Sequence, residues 1–208
     1  MAMLDAILGR SRSTVPDVKS HRNALLLQEG TKAIEARDPK AIQIFSELAE
    51  TGDAEGQCRL AFLYKCGQKY SEAAHWYRKA ADQGHAEALC KLGLLYRSGK
   101  GVPKNDFEAA TLYKASAKKG YPEAQHNWGV MNLEGSDTVP KDARVAAEWF
   151  LKAANAGFDT SQTNLGICYA TGNGVPKDLS EARRWLRKAA LQGESRAVEV
   201  LRELENGK

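Results

Sequence analysis

This 208-residue chain is poor in the residue types and patterns that announce chemistry on their own. Its four cysteines, Cys58, Cys66, Cys90 and Cys168, include no C-x-x-C pair and no spacing that suits a disulfide framework or a zinc site, so reduced thiols are expected. No stretch approaches the roughly 18 apolar residues of a membrane helix. The apolar scrap Met3-Leu4-Asp5-Ala6-Ile7-Leu8 is too short and too polar for the core of a secretory signal, which points to a cytoplasmic protein with no membrane role. An excess of one charge is also missing: 30 basic residues stand interleaved with 26 acidic ones for a net charge of +4, without the basic face that nucleic-acid binding concentrates. No P-loop, G-x-S-x-G, H-E-x-x-H or dinucleotide fingerprint occurs, and the expectation is that the protein is not an enzyme. The 43% of hydrophobic residues is ordinary for a globular protein, so material for a core is present.

What the chain does have is a period. Leu92-Gly93 returns as Trp128-Gly129 and as Leu165-Gly166, and Leu60-Ala61 stands one unit upstream. A second column, Gly52, Gly84, Gly120, Gly157 and Gly193, keeps the same step. Between the columns lie two helical patterns: Leu92-Gly93-Leu94-Leu95-Tyr96 and Leu165-Gly166-Ile167-Cys168-Tyr169 in the first, then Ala146-x-x-Trp149 and Ala182-x-x-Trp185 in the second. Apolar residues at i, i+3 and i+4 give each helix a stripe to bury. A glycine inside the first helix costs about 1 kcal/mol of helix propensity, which a close helix-helix contact would explain. The connecting turns repeat as well, Gly99-Lys100-Gly101-Val102-Pro103-Lys104-Asn105 matching Gly172-Asn173-Gly174-Val175-Pro176-Lys177-Asp178. They are turns between helices and not phosphate loops, with Asn105, Asp142 and Asp178 placed as N-caps and Gly84 and Gly193 as left-handed stops.

The pattern L-G-x-x-Y, then G-x-G-V, then A-x-x-W with A-A-x-x-G resembles the Sel-one-like repeat, a relative of the tetratricopeptide repeat. Four copies, at 53–84, 85–120, 121–157 and 158–193, carry it. The resemblance implies an all-α fold, a right-handed α-α superhelical solenoid of helix-turn-helix repeats. Residues 21–52 read as a degenerate tetratricopeptide-like helix pair, 1–20 as a flexible leader, and 194–208 as a capping helix and tail. Two copies depart from the pattern: the first has the shortened turn Cys66-Gly67-Gln68-Lys69-Tyr70, and the third, Gly135-Ser136-Asp137-Thr138-Val139, carries one extra residue.

A stacked array offers an extended concave face that suits a partner better than chemistry. Similar repeat proteins are mostly adaptors and scaffolds, and in the tetratricopeptide relatives the first helix of each unit lines the binding groove. Carried over, the residue before each L-G pair is Arg59, Lys91, Asn127 or Asn164, with His126 one position earlier in the third unit. These five are the candidate contacts to a protein or peptide, Arg and Lys as charge-assisted donors and Asn pairing with peptide amides. The competing reading leaves Asn127 and Asn164 bonded to neighbouring backbone and Arg59 and Lys91 solvated. The column Cys58, Cys90, His126 suggests zinc by residue type, but helices pack about 8 to 10 Å apart whereas zinc ligands lie about 2.0 to 2.3 Å from the ion. No metal and no cofactor are therefore expected. Trp76, Tyr77, Tyr96, Tyr113, Trp149, Phe150, Tyr169 and Trp185 fall at core spacing and are read as packing residues. Two narrower roles remain open beside the adaptor: an immunity or regulatory protein that occludes one toxin or enzyme, and a β-lactamase-like hydrolase as described for some cysteine-rich relatives. The slots of the cysteine pair of those relatives hold Ala81 and Leu89, and Ala117 and Gln125, in this chain.

Overall fold

The computed structural model describes residues 18–206, so most of the leader and the last two residues of the tail lie outside it. Among the described residues there are eleven helices and no strand. They are α1 (Val18–Glu35), α2 (Lys40–Glu50), α3 (Ala54–Cys66), α4 (Tyr70–Asp82), α5 (Ala86–Ser98), α6 (Asp106–Lys118), α7 (Pro122–Glu134), α8 (Ala143–Asn155), α9 (Asp159–Thr171), α10 (Leu179–Leu191) and α11 (Ser195–Glu205). Each helix packs on the next, giving the pairs α1/α2, α3/α4, α5/α6, α7/α8 and α9/α10, with α11 alone at the end. The architecture is an all-helical solenoid.

Local chemistry sets the helix ends. Asn105 accepts from the N–H of Glu108, Asp142 from Arg144 and Val145, and Asp178 from Ser180 and Glu181, each satisfying donors that have no partner within the helix. The second helices α4 and α10 are followed by Gly84 and Gly193, whose φ angles of 79° and 90° suit a residue without Cβ.

The helical glycines are explained by contact. A Cβ on Gly93 would stand 3.0 Å from the Tyr113 ring, on Gly129 2.7 Å from Phe150, and on Gly166 2.6 Å from Leu186. The same relation joins α1 to α2, where a Cβ on Gly30 would lie 2.7 Å from Phe45. One large side chain of each second helix is thus pressed onto the backbone of its first helix. Tyr77, Tyr113, Phe150 and Leu186 are all fully buried there. Shaving the first helix to glycine lets the pair close around that side chain, and the dispersion attraction of the tighter packing offsets the propensity lost.

Neighbouring units are coupled through the turns. A Cβ on Gly101 would sit 2.2 Å from the Tyr70 carbonyl carbon, and on Gly174 2.1 Å from the Ala143 oxygen, so each turn rests on the start of the preceding unit's second helix. The longer third turn is held by the Ser136 hydroxyl, which accepts from the N–H of Val139 at 3.1 Å, and Val139 is buried. The shortened first turn places Gln68 at φ 58°, in the left-handed region. At the far end Arg202, an exposed residue, occupies the slot held by Gly93, Gly129 and Gly166. Beyond sequential pairs, first helices approach one another, α5 with α7 and α9 with α11. That contact makes the first-helix side the inner side of the array.

Candidate protein-binding face

In a helix of 3.6 residues per turn, residues at i, i+4, i+7 and i+11 share one side. On α5 these are Glu87, Lys91, Leu94 and Ser98. The matching sets are Glu55, Arg59, Phe62 and Cys66 on α3, then Glu123, Asn127, Val130 and Glu134 on α7, then Thr160, Asn164, Ile167 and Thr171 on α9. All sixteen are half-buried or exposed. The stripe is the solvent-facing side of the first helices, and it carries four of the five candidate residues.

The two cations on it are already paired. Arg59 Nε donates to Glu55 Oε1 at 2.6 Å, and the other Glu55 oxygen lies 2.9 Å from His85 Nε2. His85 Nδ1 accepts the Ala88 N–H, so Nε2 is the nitrogen that faces Glu55, and the ring caps α5 while reaching back one unit. The His85 hydrogen bond, with Arg59 beside it, holds the Glu55 carboxyl down to about 2 against the opposing effect of burial. Lys91 is ion-paired across units with Glu123, its ammonium 6.0 Å from the centre of the Tyr121 ring. Asn127 Nδ2 donates to Cys90 Sγ at 3.7 Å, whereas the Asn164 side chain makes no hydrogen bond among the described residues.

His126 stands elsewhere. Its ring centre is 5.7 Å from Phe150 and 5.2 Å from Phe158, and Nδ1 lies 2.9 Å from the hydroxyl of buried Ser161. Burial, the largest influence, drives its pKa down to about 4. One position before Asn127 is enough to rotate the ring by about 100° off the stripe and into the joint between units. Thr163, in the same slot one unit on, likewise bonds Glu194 across its joint at 2.7 Å.

An apolar column that the sequence reading does not single out, Phe62, Leu94, Val130 and Ile167, runs along the same side, with Val130 and Ile167 half-buried. Phe62 and Leu94 are each 36% exposed. The signal was present, since each lies three residues after a candidate contact and therefore on the same side of its helix.

The buried thiols have no nucleophilic character. Removal from water is the largest cause pushing Cys58 and Cys90 up to about 12, and nearby carboxylates add to it, so both stay protonated at neutral pH. Among the described residues no three His, Cys, Asp or Glu side chains gather where they could hold a metal ion. No described helix is long and apolar enough to cross a membrane. Trp76 and Trp149 are half-buried with Lys79 and Lys152 at 4.3 and 3.9 Å over their rings, while Trp185 is buried.

Comparison with known proteins follows the same period. The model of the Sel1 repeat matches residues 54–85, 86–121, 122–158 and 160–194. A Sel1 repeat protein from Oxalobacter formigenes is 37% identical with a TM-score of 0.72, over 79% of this chain and 49% of that one. The protein c5321, a protective antigen present in uropathogenic Escherichia coli strains, displays an SLR fold and is 40% identical with a TM-score of 0.68, over 73% of this chain and 33% of that one. Chitin synthase regulatory factor 3 of Schizosaccharomyces pombe is 28% identical over 139 residues, 64% of this chain and 15% of that protein. The chain thus spans half or less of the length of these relatives.

Proposed function

This chain belongs to the Sel1 repeat family, and we propose that it is a non-enzymatic interaction protein that holds a segment of another protein along the inner side of its first helices. The observation that carries this reading is the apolar column Phe62, Leu94, Val130 and Ile167 on the first helices of four successive units, with Phe62 and Leu94 exposed and Val130 and Ile167 half-buried. A solvated helix face is ordinarily polar, so a repeated apolar position there costs solubility unless a partner covers it. Along the column run Arg59, Lys91, Asn127 and Asn164, which supply directional polar contacts at each step. The role assigned to His126 is packing, because its ring is enclosed by Phe150 and Phe158. Compartment and partner identity are consequences of this role and not of the fold.

Affinity capture from the native host with the full chain tests the reading. Phe62→Ser with Leu94→Ser removes the column at its most exposed points, and alanine at Arg59, Lys91, Asn127 and Asn164 removes the polar contacts. A specific partner should be recovered by the unaltered chain and lost by both variants, while their melting curves stay cooperative. A partner held equally by all three proteins rules out the inner face as its site. A target that proves to be a single toxin or enzyme, inhibited on binding, would narrow the role to an immunity or regulatory protein.

A further inference from the structure

The inner side ends in a groove whose chemistry differs from the rest of the array. It lies between α9 and α11 with a volume of about 630 Å³, and Ile167, Leu179, Val200 and Leu204 form its apolar surface. The equivalent notch between α5 and α7 has a volume of about 230 Å³; it is crossed by the ion pair of Arg97 with Glu134 at 2.9 Å and edged by that of Lys104 with Asp106 at 3.7 Å. Two replacements between these equivalent positions account for the difference. Ala170 takes the slot of Arg97, which removes the long side chain that bridges the notch. Leu179 takes the slot of Asp106, which leaves Lys177, the counterpart of Lys104, without its carboxylate. Arg196 enters the same groove from α11. Neither Lys177 nor Arg196 has an ion-pair partner among the described residues, and Glu203 supplies the one carboxylate of the lining. The groove therefore offers an apolar floor, two unpaired cations and a net positive charge, with the unbonded amide of Asn164 one helical turn before Ile167.

We propose that this groove is the specificity pocket of the inner face and takes an internal acidic residue adjacent to a large aliphatic or aromatic one in the partner's chain. The apolar side chain would cover Ile167, Leu179 and Val200, and the carboxylate would pair with Lys177 and Arg196 as the Asp106 carboxylate pairs with Lys104. This inference rests on the reading of the inner side as a protein-binding face, and adds which residues of the partner are selected. A charge-assisted contact beside a buried apolar anchor is the combination that gives both direction and discrimination.

Seven-residue peptides, N-acetylated and C-amidated, with a central Asp-Leu, Glu-Leu or Glu-Phe pair are the probes, titrated into the isotopically labelled full chain and followed by amide chemical shifts and fluorescence anisotropy. Saturable shifts confined to α9, α11 and the 172–178 turn are expected, with affinity falling at least about tenfold when the acid becomes its amide or the apolar residue becomes alanine. Leu179→Asp, which gives Lys177 its partner back, and Ala170→Arg, which refills the notch, should each abolish binding while leaving the thermal melt unchanged. Absence of saturable shifts at concentrations on the order of 1 mM, indifference to the acid, binding only by peptides with a free C-terminal carboxylate, or full binding by both variants would each overturn the proposal. If the peptides fail while capture of a partner still depends on Phe62 and Leu94, only this inference falls. If capture is indifferent to Phe62 and Leu94, the inner-face reading falls whatever the peptides do.

Discussion

Acidification should loosen the joint between the third and fourth repeats through one residue, His126. In the folded chain its ring is enclosed by Phe150 and Phe158 with the Ser161 hydroxyl as its hydrogen-bonding neighbour. Burial holds the pKa at about 4 against the ordinary value of 6.5, with Glu123 and Asp159 pulling weakly the other way. The folded-state value lies below the unfolded one, so the unfolded chain takes up the proton first. The stability this histidine contributes is whole above about pH 6.5 and drains as pH falls toward 4. A displacement of that size corresponds to about 3 kcal/mol when complete, of which about 2 kcal/mol is lost between pH 7 and pH 5. Urea unfolding of the unaltered chain and of His126→Gln, which keeps a donor for Ser161 but cannot titrate, measures the difference across that window. The unaltered chain should lose about 2 kcal/mol more than the variant, and its imidazole resonance should titrate near 4. Parallel pH profiles, or an imidazole that titrates near 6.5 in the folded protein, would refute the enclosure on which this account depends.

Other outcomes follow from the packing. Gly129→Ala recovers up to about 1 kcal/mol of helix propensity but drives a methyl group to 2.7 Å from the Phe150 ring, an overpacking that costs about 1 to 3 kcal/mol, so a lower melting temperature is expected in calorimetry. The Tyr113 hydroxyl is buried without a hydrogen-bond partner among the described residues, and Phe150 fills the same slot one unit on. Tyr113→Phe should leave stability unchanged or raise it by about 1 kcal/mol in urea titration, and a clear loss would reveal an unseen partner for the hydroxyl. Of the four thiols only Cys66 is exposed, and reaction with a thiol-specific disulfide reagent under native conditions should show one fast group, with Cys58, Cys90 and Cys168 released only on unfolding.

Periodicity made the architecture legible before any coordinate was known. Two glycine columns at one step, repeated turns and capping residues specify helix pairs because helix stops and starts are local chemistry. The resemblance built on those motifs named the family for the same reason. Even the close contact at Gly93, Gly129 and Gly166 was implied, since a residue that weakens a helix recurs in three of the four units, with the next smallest residue, Ala61, in the other. The candidate site was read less well. Adjacent residues such as His126 and Asn127 look alike on the page, yet a step of about 100° sends one into the joint and leaves the other on the surface. Lys91 looked free until Glu123, on the next unit's helix, came beside it. The groove at α11 depended on two replacements, Ala170 and Leu179, whose effects meet only in space. Repetition along the chain thus determined the units and their stacking, because each unit's form is encoded within about 36 residues. Which polar groups are spent on neighbouring units and which remain open to a partner was decided only by the tertiary structure, because that balance depends on contacts between helices roughly 30 residues apart.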